Sequence, residues 1–202
     1  MVTSFFQILF PPRCFGCGKD ATSLCSRCIR LSRKSLSSPY PYITSVFDFK
    51  DPLIKRVIHA SKYYHRKDLL PPLVAELAQE IQKLPDIHLY TLVPIPMPRI
   101  RKLLRGYNQS ELIAQQLSTL LSVPVSTSML RRIKTPLRQA VTKTKSERMK
   151  NQHGSFGIVD GAPSTHIILI DDVTTTGATL VEARNILLKN GTKSVLAYTL
   201  AH

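Results

Sequence analysis

Ile167-Ile168-Leu169-Ile170-Asp171-Asp172-Val173-Thr174-Thr175-Thr176-Gly177-Ala178-Thr179 is the stretch that decides the fold. Four consecutive apolar residues ahead of two acids predict a strand buried on both faces, as in parallel sheets. That strand delivers Asp171 and Asp172 to its carboxyl end, where open parallel sheets bind their ligands. The Thr/Gly turn then opens a helix, and hydroxyls and amides at a helix N-terminus surround a phosphate while the helix dipole favours its charge. Two adjacent carboxylates repel a phosphate, but they accept hydrogen bonds from a vicinal diol or hold a divalent cation. Strand, acid pair and turn together describe a ribose 5-phosphate site. The competing reading is a surface turn whose threonines cap a loop.

Outward from this stretch the pattern alternates. Strands are expected at 43–49, 88–95, 123–129, 156–159, 167–173 and 194–200, and helices at 51–63, 69–84 and 180–188. Asn108-Gln-Ser-Glu111 has the residue types of a capping box, and Ile113, Leu117, Leu120 and Leu121 give the following helix an apolar stripe. Residues 131–154 lack an apolar period and read as a long loop with a short helix near Ser146–Asn151. The expected class is α/β, a mostly parallel sheet with helices on both faces.

Length and charge narrow the function. At 202 residues, with 43% hydrophobic and 20% charged side chains, the chain is an ordinary globular one and not disordered, collagen-like or disulfide-dense. Its formal net charge is +15, which favours a polyanionic partner. The excess is local: residues 97–150 carry 12 basic side chains against only Glu111 and Glu147, and residues 1–34 carry 6 against Asp20. Scattered cations merely solvate a surface, whereas a segment this unbalanced suits an anion-binding face.

All four cysteines fall in Cys14-Phe-Gly-Cys17-Gly-Lys-Asp-Ala-Thr-Ser-Leu-Cys25-Ser-Arg-Cys28. Two C-x-x-C turns aim four thiolates at one point, the set that tetrahedral zinc requires. The expected site is closed and structural, with a disulfide pair or redox centre as alternatives. Residues 1–34 are therefore expected to form a four-cysteine zinc module and residues 35–202 the α/β domain, joined by the Ser/Pro-rich stretch 35–41. No apolar run reaches the ~18 residues of a helical membrane span. Met1–Phe10 lacks the basic start and cleavage site of a secretory signal, so a cytoplasmic location is expected.

The stretch from Ile167 to Thr179 resembles the phosphoribosyl pyrophosphate (PRPP) signature of type I phosphoribosyltransferases along its whole length. The likeness extends to Cys14–Cys28, Val93-Pro-Ile-Pro96, Arg105-Gly-Tyr-Asn-Gln109, Arg148-x-x-Asn151 and Gly154-Ser-Phe156, which occur in this order in the ComF competence-protein family. Glutamine-type amidophosphoribosyltransferases are similar only in the PRPP half. The resemblance implies that Asp171 and Asp172 contact the ribose hydroxyls, and that Thr174, Thr175, Thr176, Gly177, Ala178 and Thr179 hold the 5-phosphate. It makes Met97–Tyr107 the pyrophosphate loop, with Arg99, Arg101 and Arg105 as cations and Gly106 permitting close approach. Magnesium would accompany PRPP. Residues 131–150 sit where such transferases carry a lid, and Arg131, Arg132, Lys134, Lys143, Lys145 and Arg148 are candidates for nucleic acid. Tyr63 and Tyr64 are read as packing residues, with a hood over an acceptor base as the alternative.

Two functions of different class follow. The first is a competence protein that supports uptake of single-stranded transforming DNA together with a DNA-uptake machinery. The second is an active phosphoribosyltransferase in nucleotide or cofactor salvage, whose acceptor is not legible.

Overall fold

A computed structural model describes residues 11–36, 38, 40–133, 154–159 and 165–202. The elements run α1 (Ser26–Leu31), β1 (Ile43–Phe47), α2 (Pro52–Tyr63), a 3-10 turn (Lys67–Leu69) and α3 (Leu70–Ile81). A second 3-10 turn (Ile87–Leu89), β2 (Tyr90–Pro94), α4 (Arg99–Arg105), α5 (Gln109–Leu121) and β3 (Leu130–Arg132) follow. The chain closes with β4 (Phe156–Ile158), β5 (His166–Val173), α6 (Ala178–Lys189) and β6 (Ser194–Ala201).

Four strands pair in parallel in the order β1-β6-β5-β2, with Leu92 beside Ile168 and Ile168 beside Leu196. Alternation along β5 splits the interior in two. Ile168 and Ile170 join Leu92 in a core with α2, α3 and α5, whereas Ile167 and Leu169 join Val93 in a core with α6 and the antiparallel β3-β4 pair. Helices therefore cover both faces, as the α/β class requires. Leu73, Leu77 and Ile81 of α3 are wholly buried at helical spacing, and each such side chain contributes about 1.5–3 kcal/mol of burial.

Helix α2 starts where Asp51 accepts the Leu53 and Ile54 N–H groups, with Pro52 in its first turn. Asp51 also accepts the Arg33 N–H at 3.0 Å. Burial pushes its carboxyl up, but these N–H donors outweigh it and hold it below the usual range.

Three expectations need correction. Val123–Met129 is not a strand: Val125 makes one isolated parallel bridge to Leu92, because Pro124 at the sheet edge has no N–H to continue a ladder. The strand lies later, at β3. The stretch Arg99–Arg105 is helical, not a loop. It buries none of its residues, so it showed no core-facing period. Tyr63 and Tyr64 are 61% and 68% exposed and do not pack into the core. The helix expected near Ser146–Asn151 lies outside the described residues. Among the described residues, no helix is long and apolar enough to cross a membrane.

Candidate functional site

The cleft sits outside the carboxyl ends of β2 and β5. From β5 the chain crosses through α6 to β6 on one side, and from β2 it leads through α5 to the Val125 bridge on the other. That is the point at which strand order reverses, where ligands enter open α/β sheets. A cavity of about 360 Å³ opens there, walled by Asp171, Asp172, Thr179, Arg101, Arg105 and Arg132 among others.

The acid pair is held from three sides. Ser110 Oγ donates to Asp171 Oδ1 at 2.8 Å, the Asp172 N–H donates to the same oxygen at 2.9 Å, and Lys62 Nζ lies 2.7 Å from Asp172 Oδ2. Burial and then the Asp172 charge push the Asp171 carboxyl up to about 7, against the pull of Ser110, the Asp172 N–H and Lys62.

The turn after the acids is built around glycine. Gly177 is the N-cap of α6 at φ 77°, and a Cβ there would lie 2.8 Å from the Tyr40 ring. Both a left-handed backbone and a ring overhead exclude other residues. Thr174 is buried, with its N–H on the Ala201 carbonyl, while Thr175 faces solvent and Thr176 Oγ1 accepts the Ala178 N–H at 3.4 Å. The turn thus lies at the start of α6, a position that suits an anion.

Of the expected cations, Arg101, Arg105 and Arg132 reach the acid cleft, whereas Arg99 and Arg131 line a neighbouring cavity of about 670 Å³. Gly106 ends α4. Arg132, whose guanidinium lies 5.1 Å over the Phe156 ring, lines both cavities. Lys134, Lys143, Lys145 and Arg148 lie outside the described residues.

Several contributors escaped the sequence reading. Lys62 is the foremost, and no local spacing links it to Asp172. The Arg105–Ser110 run is a buckle: the Tyr107 hydroxyl donates to the Ser61 carbonyl, Gln109 Nε2 to Ser61 Oγ at 2.9 Å, and Asn108 Nδ2 to the Ile95 carbonyl at 3.0 Å. Asn108 also accepts the Ser110 N–H as N-cap of α5, but Glu111 pairs with Lys102 at 2.9 Å, so only half of the expected capping box forms.

The four cysteine sulfurs lie within 4.8 Å of one another. Cys14–Cys28 and Cys17–Cys25 are each 3.8 Å apart, the edge of a tetrahedron whose Zn–S bonds are about 2.3 Å. The set fits one metal ion such as zinc, held by all four thiolates with no open position, so its contribution would be structural. Gly16 permits this closeness, since a Cβ there would lie 2.7 Å from Cys28 Sγ. Cys14, Leu24, Cys28 and Ile29 share the buried cluster of α2 and α3.

No family model matches the chain. It is 28% identical over 195 residues to DNA utilization protein YhgH of Salmonella typhimurium, spanning 93% of this chain and 82% of that protein. It is 31% identical over 158 residues to competence protein ComFC of Bacillus subtilis, spanning 77% of this chain and 62% of that one. The chain is thus homologous to proteins named for DNA utilization and for competence. The likeness to these proteins is not confined to the acid-pair loop, since it runs through most of the sequence. Among solved structures, adenine phosphoribosyltransferase from Trypanosoma brucei, in complex with AMP, pyrophosphate and ribose-5-phosphate, aligns at 11% identity and a TM-score of 0.47, covering 84% of this chain and 86% of that one.

Proposed function

We propose that this chain is a competence protein whose β5 cleft binds PRPP. One observation carries the reading: the acid pair leaves β5 at the strand-order reversal and, with Thr179 from the start of α6, lines one cavity together with Arg101, Arg105 and Arg132. In this reading Asp171 and Asp172 accept hydrogen bonds from the ribose hydroxyls. The Thr174–Thr179 turn holds the 5-phosphate, and Arg101 and Arg105 neutralise the pyrophosphate with its magnesium. The relatives named for competence and DNA utilization support a role in uptake of single-stranded DNA. A cationic and aromatic groove supports a DNA contact, since Arg56 and Arg66 stack over Phe15 beside exposed Tyr64.

A transferase reading is favoured by one detail. Tyr63 stands at the cleft rim with the Arg105 guanidinium 5.5 Å over its ring, a surface on which an acceptor base would stack.

The test is calorimetric titration of Mg2+–PRPP into wild type and Asp171→Asn/Asp172→Asn, with ATP at matched salt as a polyanion control. Binding of PRPP by wild type alone is expected, together with reduced transformation frequency in a strain carrying the double variant. Equal binding of ATP and PRPP by both proteins rejects the site.

A further inference from the structure

The ribose-phosphate reading gives Lys62 no task, yet Lys62 makes the ion pair at the centre of the cleft. It is the cation in the last turn of α2, 2.7 Å from Asp172 Oδ2, with the two side chains only 21% and 13% exposed. Its backbone is fixed by its neighbour: Ser61 accepts from Gln109 through its hydroxyl and from Tyr107 through its carbonyl. The end of α2 is thereby fastened to the same helix start that supplies Ser110 to Asp171. Lys62 is positioned, not draped.

Two adjacent carboxylates at a cleft floor ordinarily attract a hard divalent cation, which demands oxygens at about 2.0–2.1 Å for Mg2+. Here Asp171 Oδ1 already accepts two hydrogen bonds and Asp172 Oδ2 faces an ammonium. A metal bound directly to Asp172 would have to break a partly buried ion pair and leave a second cation at close range, which is unfavourable on both counts. The acid pair therefore does not fit Mg2+ as a direct ligand. A hydroxyl makes no such demand, because it donates a hydrogen bond to a carboxylate and can accept one from the ammonium.

We propose, on the strength of the ribose-phosphate reading, that Lys62 is a specificity-determining residue whose ammonium keeps divalent metal off Asp172 and reserves the acid pair for the ribose diol. Magnesium then enters the cleft only on the pyrophosphate of the ligand, across from Arg101 and Arg105.

The experiment uses the full chain with its cysteine site loaded with zinc beforehand, and compares wild type, Lys62→Met, Lys62→Arg and Lys62→Met/Asp172→Asn. Mn2+ serves as the metal probe, read by the electron paramagnetic resonance of the free ion, and ribose 5-phosphate without metal is titrated calorimetrically. Lys62→Met should gain Mn2+ affinity by about tenfold or more and lose ribose 5-phosphate affinity by about tenfold, the scale of one charge-assisted contact. Lys62→Arg should behave as wild type in both, and the double variant should lose the Mn2+ gain. A Lys62→Met protein that takes up Mn2+ no better than wild type overturns the proposal, as does a gain that survives Asp172→Asn. Failure of wild type to bind ribose 5-phosphate would instead overturn the ribose-phosphate reading, and the Mn2+ measurements would still decide whether Lys62 excludes metal.

Discussion

Ser110 Oγ donates a 2.8 Å hydrogen bond to Asp171 Oδ1, so the first turn of α5 orients a carboxylate at the end of β5. Asn108 fixes that turn in place by capping α5 and reaching back to the Ile95 carbonyl beyond β2. Two chain segments thus meet at one carboxylate oxygen, and a third, beyond β2, holds the residue that caps α5.

Ser110→Ala removes this donor without opening a cavity larger than a hydroxyl. A hydrogen bond to a charged group contributes about 1.5–3 kcal/mol, so affinity for ribose 5-phosphate should fall on the order of tenfold or more. Calorimetry checks this, and unchanged affinity would separate Ser110 from the site. The melting temperature should move by only a few degrees, about 2–4 °C per kcal/mol at this chain length.

Burial and then the Asp172 charge push the Asp171 carboxyl up to about 7 in the folded chain, against 3.8 for an unperturbed Asp. An acid raised in the folded state binds its proton there while the unfolded chain has lost it. Its stabilising contribution is therefore complete below the unfolded value and lost as the pH rises through about 7. Wild type should lose melting temperature relative to Asp171→Asn between pH 5.5 and pH 8. Over the same interval, ribose 5-phosphate binding should strengthen in wild type as the carboxylate forms, and this part of the pH dependence should vanish in Asp171→Asn. Parallel pH profiles for the two proteins would contradict the assignment.

Cys28→Ser should abolish stoichiometric zinc, measured by elemental analysis of the purified chain. Because Cys28 is buried among residues that also pack α2 and α3, the loss should reach the whole domain. A drop in melting temperature of about 5 °C or more is expected, from the few kcal/mol typical of losing a structural metal or cross-link. One zinc per chain retained in Cys28→Ser would remove this residue from the donor set.

The parts of the fold that bury a regular face were legible in the sequence. Ile167–Ile170 announced β5 because all four positions are enclosed, and the Leu73, Leu77 and Ile81 spacing announced α3. Helix α4 was hidden because Ile100, Leu103 and Leu104 are exposed, so its period carries no core signal. The 123–129 stretch has the composition of a strand, yet the imino nitrogen of Pro124 leaves it a single rung against Leu92. At the cleft, Asp171, Asp172 and Thr179 were found from the loop alone. Lys62, Ser110 and Gln109 were not, since what makes them part of the site is the folding of α2 and α5 onto β5, a relation with no trace in local spacing.

Asp51 receives the Arg33 N–H at one end of α2 and Lys62 meets Asp172 at the other, so twelve residues of helix run from the cysteine knuckle to the cleft, a length of about 18 Å. Such a helix works as a strut. Its footing is the knuckle core of Cys14, Leu24, Cys28 and Ile29, and its head is the ammonium over the acid pair. The thiolate cluster and the helix that presents an ammonium to the acid pair therefore rest on one shared core, so disturbance of the first should reach a cleft formed by a different part of the chain.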